Sequence, residues 1–140
     1  MKVVLDTSVV VAGLRSSVGG SRRWLEVCLK EEVTLLLAVP LVLQYEDVLL
    51  REENISAHGL LREEIGELLD GLCSVCAPVE LSYLWRPLLR DPDDEMVLET
   101  AVLGHADLLL TFNIRDFVGA ERVGVSVVQP GPAWKRLLGA

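Results

Sequence analysis

Apolar positions along the chain alternate between short unbroken runs of Val and Leu and longer stretches where they recur at helical spacing. Lys2 to Leu5 is a β-branched run that predicts a strand buried on both faces, ending at Asp6. Thr7-Ser8 then offers a cap for a helix over Val9 to Leu14, and Gly13, Gly19 and Gly20 mark the loop beyond. Ser21 opens a second helix that buries Trp24, Leu25, Val27, Cys28 and Leu29 and stops in Lys30-Glu31-Glu32. Val33 to Val39 predicts the next strand. Pro40 sits in the first turn of a helix reaching about Arg51, with Leu41, Tyr45, Val48 and Leu49 on its inner face. After a polar stretch, Glu52 to Gly59, come a helix over Leu60 to Gly71, a short strand over Cys73 to Val79 and a further segment around Leu81 to Leu89. Asp91-Pro92-Asp93-Asp94 is a helix-start signal for a helix ending near Gly104. Asp107 to Thr111 predicts a buried strand, Phe112 to Phe117 a loop or turn, and Val123 to Val128 a last strand before Gly131 and Pro132.

Strands alternating with helices predict an α/β fold, a parallel central sheet flanked by helices on both faces. With no repeat or linker to divide it, the chain is expected to be one domain over residues 1–140. Such sheets bind ligands beyond the carboxyl ends of their strands. Asp6 ends one strand, Asn113 and Asp116 follow another, and Asp94 lies in the first turn of a helix, so side chains distant in sequence are expected to converge.

Composition narrows the chemistry. The net charge of −8 disfavours broad contact with nucleic acid or anionic membranes and favours basic partners or bound cations. A local patch from Arg15, Arg22, Arg23, Arg86 or Arg115 could still touch phosphate. Cys28, Cys73 and Cys76 are an odd set without a secretory signal, which predicts reduced thiols and a cytoplasmic protein. The C-x-x-C at Cys73 and Cys76 has no second ligand pair for zinc, so buried structural cysteines are expected. The apolar run Val33 to Leu43 is about half the ~20 residues that span a bilayer, and Pro40 interrupts it, so no membrane association is expected.

Hard divalent cations such as Mg²⁺ take oxygen ligands and keep several waters, so two or three carboxylates suffice to hold one. Asp6, fixed by a buried strand, is the best-placed ligand. Each acidic piece alone reads equally as helix-cap or turn chemistry, and their joint placement at one sheet edge makes the metal reading the stronger.

Five stretches carry a resemblance to the PIN domain family, particularly VapC-like toxins of toxin–antitoxin pairs. They are Val-Val-Leu-Asp-Thr-Ser ending at Ser8, residues 39–49, Leu-Trp-Arg-Pro at 84–87, Asp-Pro-Asp-Asp-Glu-Met-Val-Leu-Glu at 91–99 and Leu-Thr-Phe-Asn-Ile-Arg-Asp-Phe at 110–117. The resemblance implies a Mg²⁺- or Mn²⁺-dependent endoribonuclease with Asp6, Asp94 and Asp116 as metal ligands, Asn113 beside them, and Ser8 and Thr111 as supporting hydroxyls. It also implies an RNA substrate, a cognate antitoxin and a homodimer, for which Trp24, Leu41, Leu49 and Leu50 offer apolar surface. The sequence departs from the family where its helical glutamate aligns with Gln44, a poorer ligand for a hard cation. Glu46, placed in the catalytic set, reaches the same point only if the helix turns by about 200°, and Asp47 lies nearer that face. A catalytically impaired PIN-like domain that binds RNA or a protein partner is the alternative. A phospho-accepting receiver domain is disfavoured, because no lysine follows a late strand.

Overall fold

The computed structural model describes residues 1–82 and 87–139, so the predicted site stretch at 84–87 and Arg86 lie largely outside the described residues. Strands β1 (Lys2–Leu5), β2 (Thr34–Leu37), β3 (Ala77–Pro78), β4 (Leu108–Leu110) and β5 (Val127–Val128) form one sheet in the order β3-β2-β1-β4-β5. Every pairing is parallel, with Val3 opposite Leu108, Leu5 opposite Leu110 and Val3 opposite Leu35. Parallel strands covered on both faces must be apolar throughout, and Val3, Val4, Leu5, Leu108, Leu109 and Leu110 are all buried. The sheet grows from β1 toward β3, then the chain returns to the other side of β1 to lay down β4 and β5. The order therefore reverses between β1 and β4, and a crevice is expected outside their carboxyl ends.

Helices α1 (Thr7–Arg15), α2 (Gly20–Leu29), α3 (Val39–Leu49), α4 (Glu52–His58), α5 (Arg62–Val75) and α7 (Pro130–Gly139) pack largely on one another, α1 reaching β1 and α5 reaching β2. Helix α6 (Pro92–Leu103) lies across β1, β2 and β4. This is the α/β architecture the alternating pattern predicts. Trp24, Tyr45 and Phe117 are the largest fully buried side chains in an otherwise aliphatic core, and Trp24 Nε1 donates to the Pro130 carbonyl at 2.9 Å.

Several boundaries differ from the sequence reading for identifiable reasons. The polar stretch after α3 is helix α4, closed by Gly59 in the left-handed conformation; the core it serves is reached by Asn54, whose amide donates to the Val48 carbonyl at 2.7 Å. Cys73 belongs to α5 rather than to a strand and is exposed there, with Cys76 half-buried, so of the cysteines expected in the core Cys28 alone is buried; β3 is a short edge strand that tolerates Pro78. Pro130 opens α7 where the sequence suggested only a stop. Ser21 lies inside α2, whose N-cap position is Gly19, and Leu29 is exposed rather than buried. Trp24, Leu41 and Leu49 are fully buried, so of the apolar residues considered for a dimer interface only Leu50 retains some exposure. Among the described residues, no helix is long and apolar enough to cross a membrane.

Candidate metal centre

Asp6 leaves β1 with its N–H bonded to the Leu110 carbonyl at 2.9 Å, which sets it directly beside the end of β4. The residue occupies the N-cap position of α1, and its side chain makes no capping bond; Thr7 and Ser8, expected as caps, are already inside the helix. Instead, Asp6 Oδ2 accepts hydrogen bonds from Ser8 Oγ at 2.9 Å and Thr111 Oγ1 at 2.6 Å. Thr111 is fully buried and Asp6 is 5% exposed. The two hydroxyls are themselves anchored: Ser8 Oγ accepts from the Phe112 N–H at 3.3 Å and Thr111 Oγ1 from the Asn113 N–H at 3.0 Å. Two donors therefore orient one oxygen of a buried carboxylate, and among the described residues none donates to Oδ1.

Asp94 comes to the same place from the other direction. Asp91 caps α6 by accepting from the Asp93 N–H at 2.8 Å, and Pro92 starts the helix, so Asp94 sits in the first turn. Its carboxyl is pushed up to about 7, first by burial and then by the negative charges of Asp6, Asp91, Asp116 and Asp93. That list shows the convergence in energetic form, since Asp6 and Asp116 act on Asp94 from 88 residues upstream and 22 downstream. Asp116 is exposed on the 3₁₀ turn Ile114–Phe117 and lines a cleft of about 570 Å³ together with Asp91, Asp94, Arg90 and Arg115. Asn113 precedes that turn, exposed, and lines an adjoining recess of about 340 Å³ with Asp116.

The departure on α3 resolves in favour of Gln44 as the inward residue. Gln44 Oε1 accepts a hydrogen bond from Thr7 Oγ1, next to Asp6, whereas Glu46 and Asp47 are exposed. Neither Glu46 nor Asp47 is among the charges acting on Asp94. Tyr45 between them is fully buried and donates to the Leu5 carbonyl, and burial followed by the charges of Asp6 and Cys28 pushes its phenol well above the usual range. Of the arginines considered for phosphate, Arg15 bonds Asn54, Arg22 bonds the Gly13 carbonyl and Arg23 lies over Trp134. Among the described residues of that set, Arg115 alone lines the cleft. Arg90, also at the cleft, carries no sequence signal beyond preceding the Asp91 cap.

An oxygen-only donor set around uncompensated negative charge suits a hard divalent cation. Burial and then the neighbouring carboxylates raise Asp94, and a cation held there would relieve the repulsive part. Among the described residues no three His, Cys, Asp or Glu side chains close around a point unaided, so an ion here would complete its shell with water.

Comparison with known proteins agrees with this architecture. A family profile described as PIN domain matches residues 2–115, which takes in Asp6, Asp94 and Asn113 and ends one residue short of Asp116. Among solved structures, the chain resembles one from the crystal structure of VapBC2 from Rickettsia felis bound to a DNA fragment from their promoter. The TM-score is 0.61 at 16% sequence identity, with 92% of this chain and 98% of that chain covered, a likeness of fold. No curated protein matches at a significant level. With the profile running from β1 through the turn after β4, on a parallel sheet whose order reverses where the carboxylates meet, this chain belongs to the PIN domain family.

Proposed function

We propose that this protein is a Mg²⁺- or Mn²⁺-dependent endoribonuclease, the VapC-like toxin of a toxin–antitoxin pair. The observation that carries the proposal is the electrostatic convergence of Asp6, Asp94 and Asp116 at the reversal between β1 and β4. These three carboxylates would hold the metal, and Asn113 borders them with a neutral amide. When bound, such an ion stabilises charge on a phosphoryl oxygen and lowers the pKa of a coordinated water. Ser8 and Thr111 hold Asp6 in one orientation through Oδ2, which leaves Oδ1 as the oxygen for a metal. Asp94 must shed its proton for the set to become fully anionic. In this reading a cognate antitoxin with a basic or apolar segment is the partner, and the net charge of −8 suits a basic one. A homodimer and a cytoplasmic location accompany this reading.

The test is cleavage of RNA by the purified chain with Mg²⁺ or Mn²⁺. Cleavage is expected to vanish on adding chelator and in Asp6→Asn and Asp94→Asn. Activity indifferent to all three refutes the proposal. A second reading, an impaired domain that binds RNA or a protein without turnover, is favoured by one observation: the α3 residue bonded to Thr7, next to Asp6, is the neutral Gln44. Tight metal-independent RNA binding with no cleavage would select it.

A further inference from the structure

Two arginines stand in the carboxylate cleft with no ionic partner among the described residues. Arg90 and Arg115 both line it beside Asp91, Asp94 and Asp116, and both are exposed. Among the described residues, the salt bridges are Arg22 with Glu26 and Arg51 with Asp47, both on the exposed faces of other helices. The cleft guanidiniums therefore do not neutralise the acidic cluster. They remain free to donate to an anion, and a guanidinium matches a phosphate oxygen pair in bidentate geometry. On a chain of net charge −8, a polyanion needs such local donors to enter at all.

Arg90 is held where it is by a group with no evident role in metal binding. Glu95, one turn into α6, is 9% exposed, and its carboxylate accepts from the Leu88 N–H at 3.1 Å and the Leu89 N–H at 2.7 Å. The next residues are Arg90 and the Asp91 cap, so the backbone on each side of Arg90 is tied to the first turn of α6. A buried carboxylate satisfied only by backbone amides of a neighbouring segment works as a clamp on that segment.

We infer that Arg90 and Arg115 grip the backbone phosphates of single-stranded RNA flanking the cleaved bond, and that Glu95 is a positioning residue acting through Arg90. The inference rests on the nuclease reading of the same cleft. Phosphate contacts carry no sequence information, so both arginines govern affinity for RNA generally rather than choice of site.

The experiment combines steady-state cleavage of a labelled RNA with its binding by fluorescence anisotropy over a salt series, using the full chain. Arg90→Ala and Arg115→Ala are each expected to raise KM and Kd roughly tenfold, as loss of a charge-assisted hydrogen bond does, with kcat little changed. The slope of log Kd against log salt should shrink by about 0.7 per arginine. Arg→Lys at either position should restore the salt slope and part of the affinity. Glu95→Gln, which keeps one acceptor and loses the other, should raise KM like Arg90→Ala and add nothing to it in the double variant. Wild-type cleavage with unchanged KM and salt slope in both arginine variants overturns the phosphate grip and leaves the nuclease reading intact. Additive losses in the Glu95→Gln/Arg90→Ala pair overturn the positioning role alone. A wild-type chain that neither binds nor cleaves RNA overturns the nuclease reading and the grip together.

Discussion

Asp94 is the residue whose environment says most. Its carboxyl stands at about 7 in the folded chain against 3.8 ordinarily. Between those values the folded state holds a proton that the unfolded state has released, so metal-free stability is greatest at low pH and falls as pH rises toward 7. The group is partly exposed, and solvent screening reduces the effect to on the order of 1–2 kcal/mol. Thermal unfolding in chelator is expected to show a lower Tm at pH 8 than at pH 5, and Asp94→Asn to flatten that trend. Calorimetric titration with Mn²⁺ should show the opposite dependence, tighter at pH 8 than at pH 6 and with proton release at pH 6, because the cation must displace that proton. Thr111 makes a second case. It is fully buried, and replacing its hydroxyl by the methyl of Thr111→Val strips Asp6 Oδ2 of its shorter hydrogen bond. Denaturant unfolding should register a loss of about 1–3 kcal/mol. On α3, Gln44→Glu adds a carboxylate beside Asp6 and is expected to tighten Mn²⁺ binding while lowering metal-free stability. Glu46→Ala, on the exposed side, should leave both within about 0.5 kcal/mol of the parent; a large loss of metal affinity there would return Glu46 to the site.

Helix α6 places Asp94 at one end and is seated by its other end. A Cβ on Gly104 would lie 2.7 Å from Leu36 Cδ1 and 3.0 Å from both Val79 Cγ2 and the Thr100 carbonyl oxygen. The φ of this glycine is −86°, so close approach to β2 rather than backbone freedom explains it. Gly104→Ala is expected to cost about 1–3 kcal/mol through overpacking, read as a lower denaturation midpoint. Metal affinity should weaken with it if the helix tilts. The elements that sequence patterning located best, β1, α3, α6 and β4, are those with unbroken apolar runs or a proline at the first turn. Helices α4 and α7 were invisible for a common reason. Glu52 to His58 shows little apolar periodicity, and Gly131 and Pro132 resemble a terminator, so tertiary docking decided both.

For the molecule as a whole, the proposed metal site predicts that a bound cation stabilises the folded state. Mn²⁺ at 100 times its Kd adds about 2.7 kcal/mol, which for a domain of this size raises Tm by roughly 5–10 °C. Differential scanning calorimetry should show that rise in the parent and lose most of it in Asp6→Asn. The order of hydrophobic and polar positions was enough to determine the class of fold, the parallel sheet and the candidates Asp6, Asp94, Asn113 and Asp116, because alternation of buried strands and amphipathic helices admits few other architectures. The resemblance to PIN domains, rather than the pattern, marked Gln44 as a departure. Tertiary structure alone decided that Gln44 bonds Thr7 while Glu46 stays exposed, that Arg90 joins Arg115 in the cleft and that Glu95 holds the Leu88–Leu89 backbone before Arg90. The physical reason is that periodicity reports which face of an element is buried, while the meeting of side chains depends on crossovers that bring residues about 90 positions apart to one sheet edge.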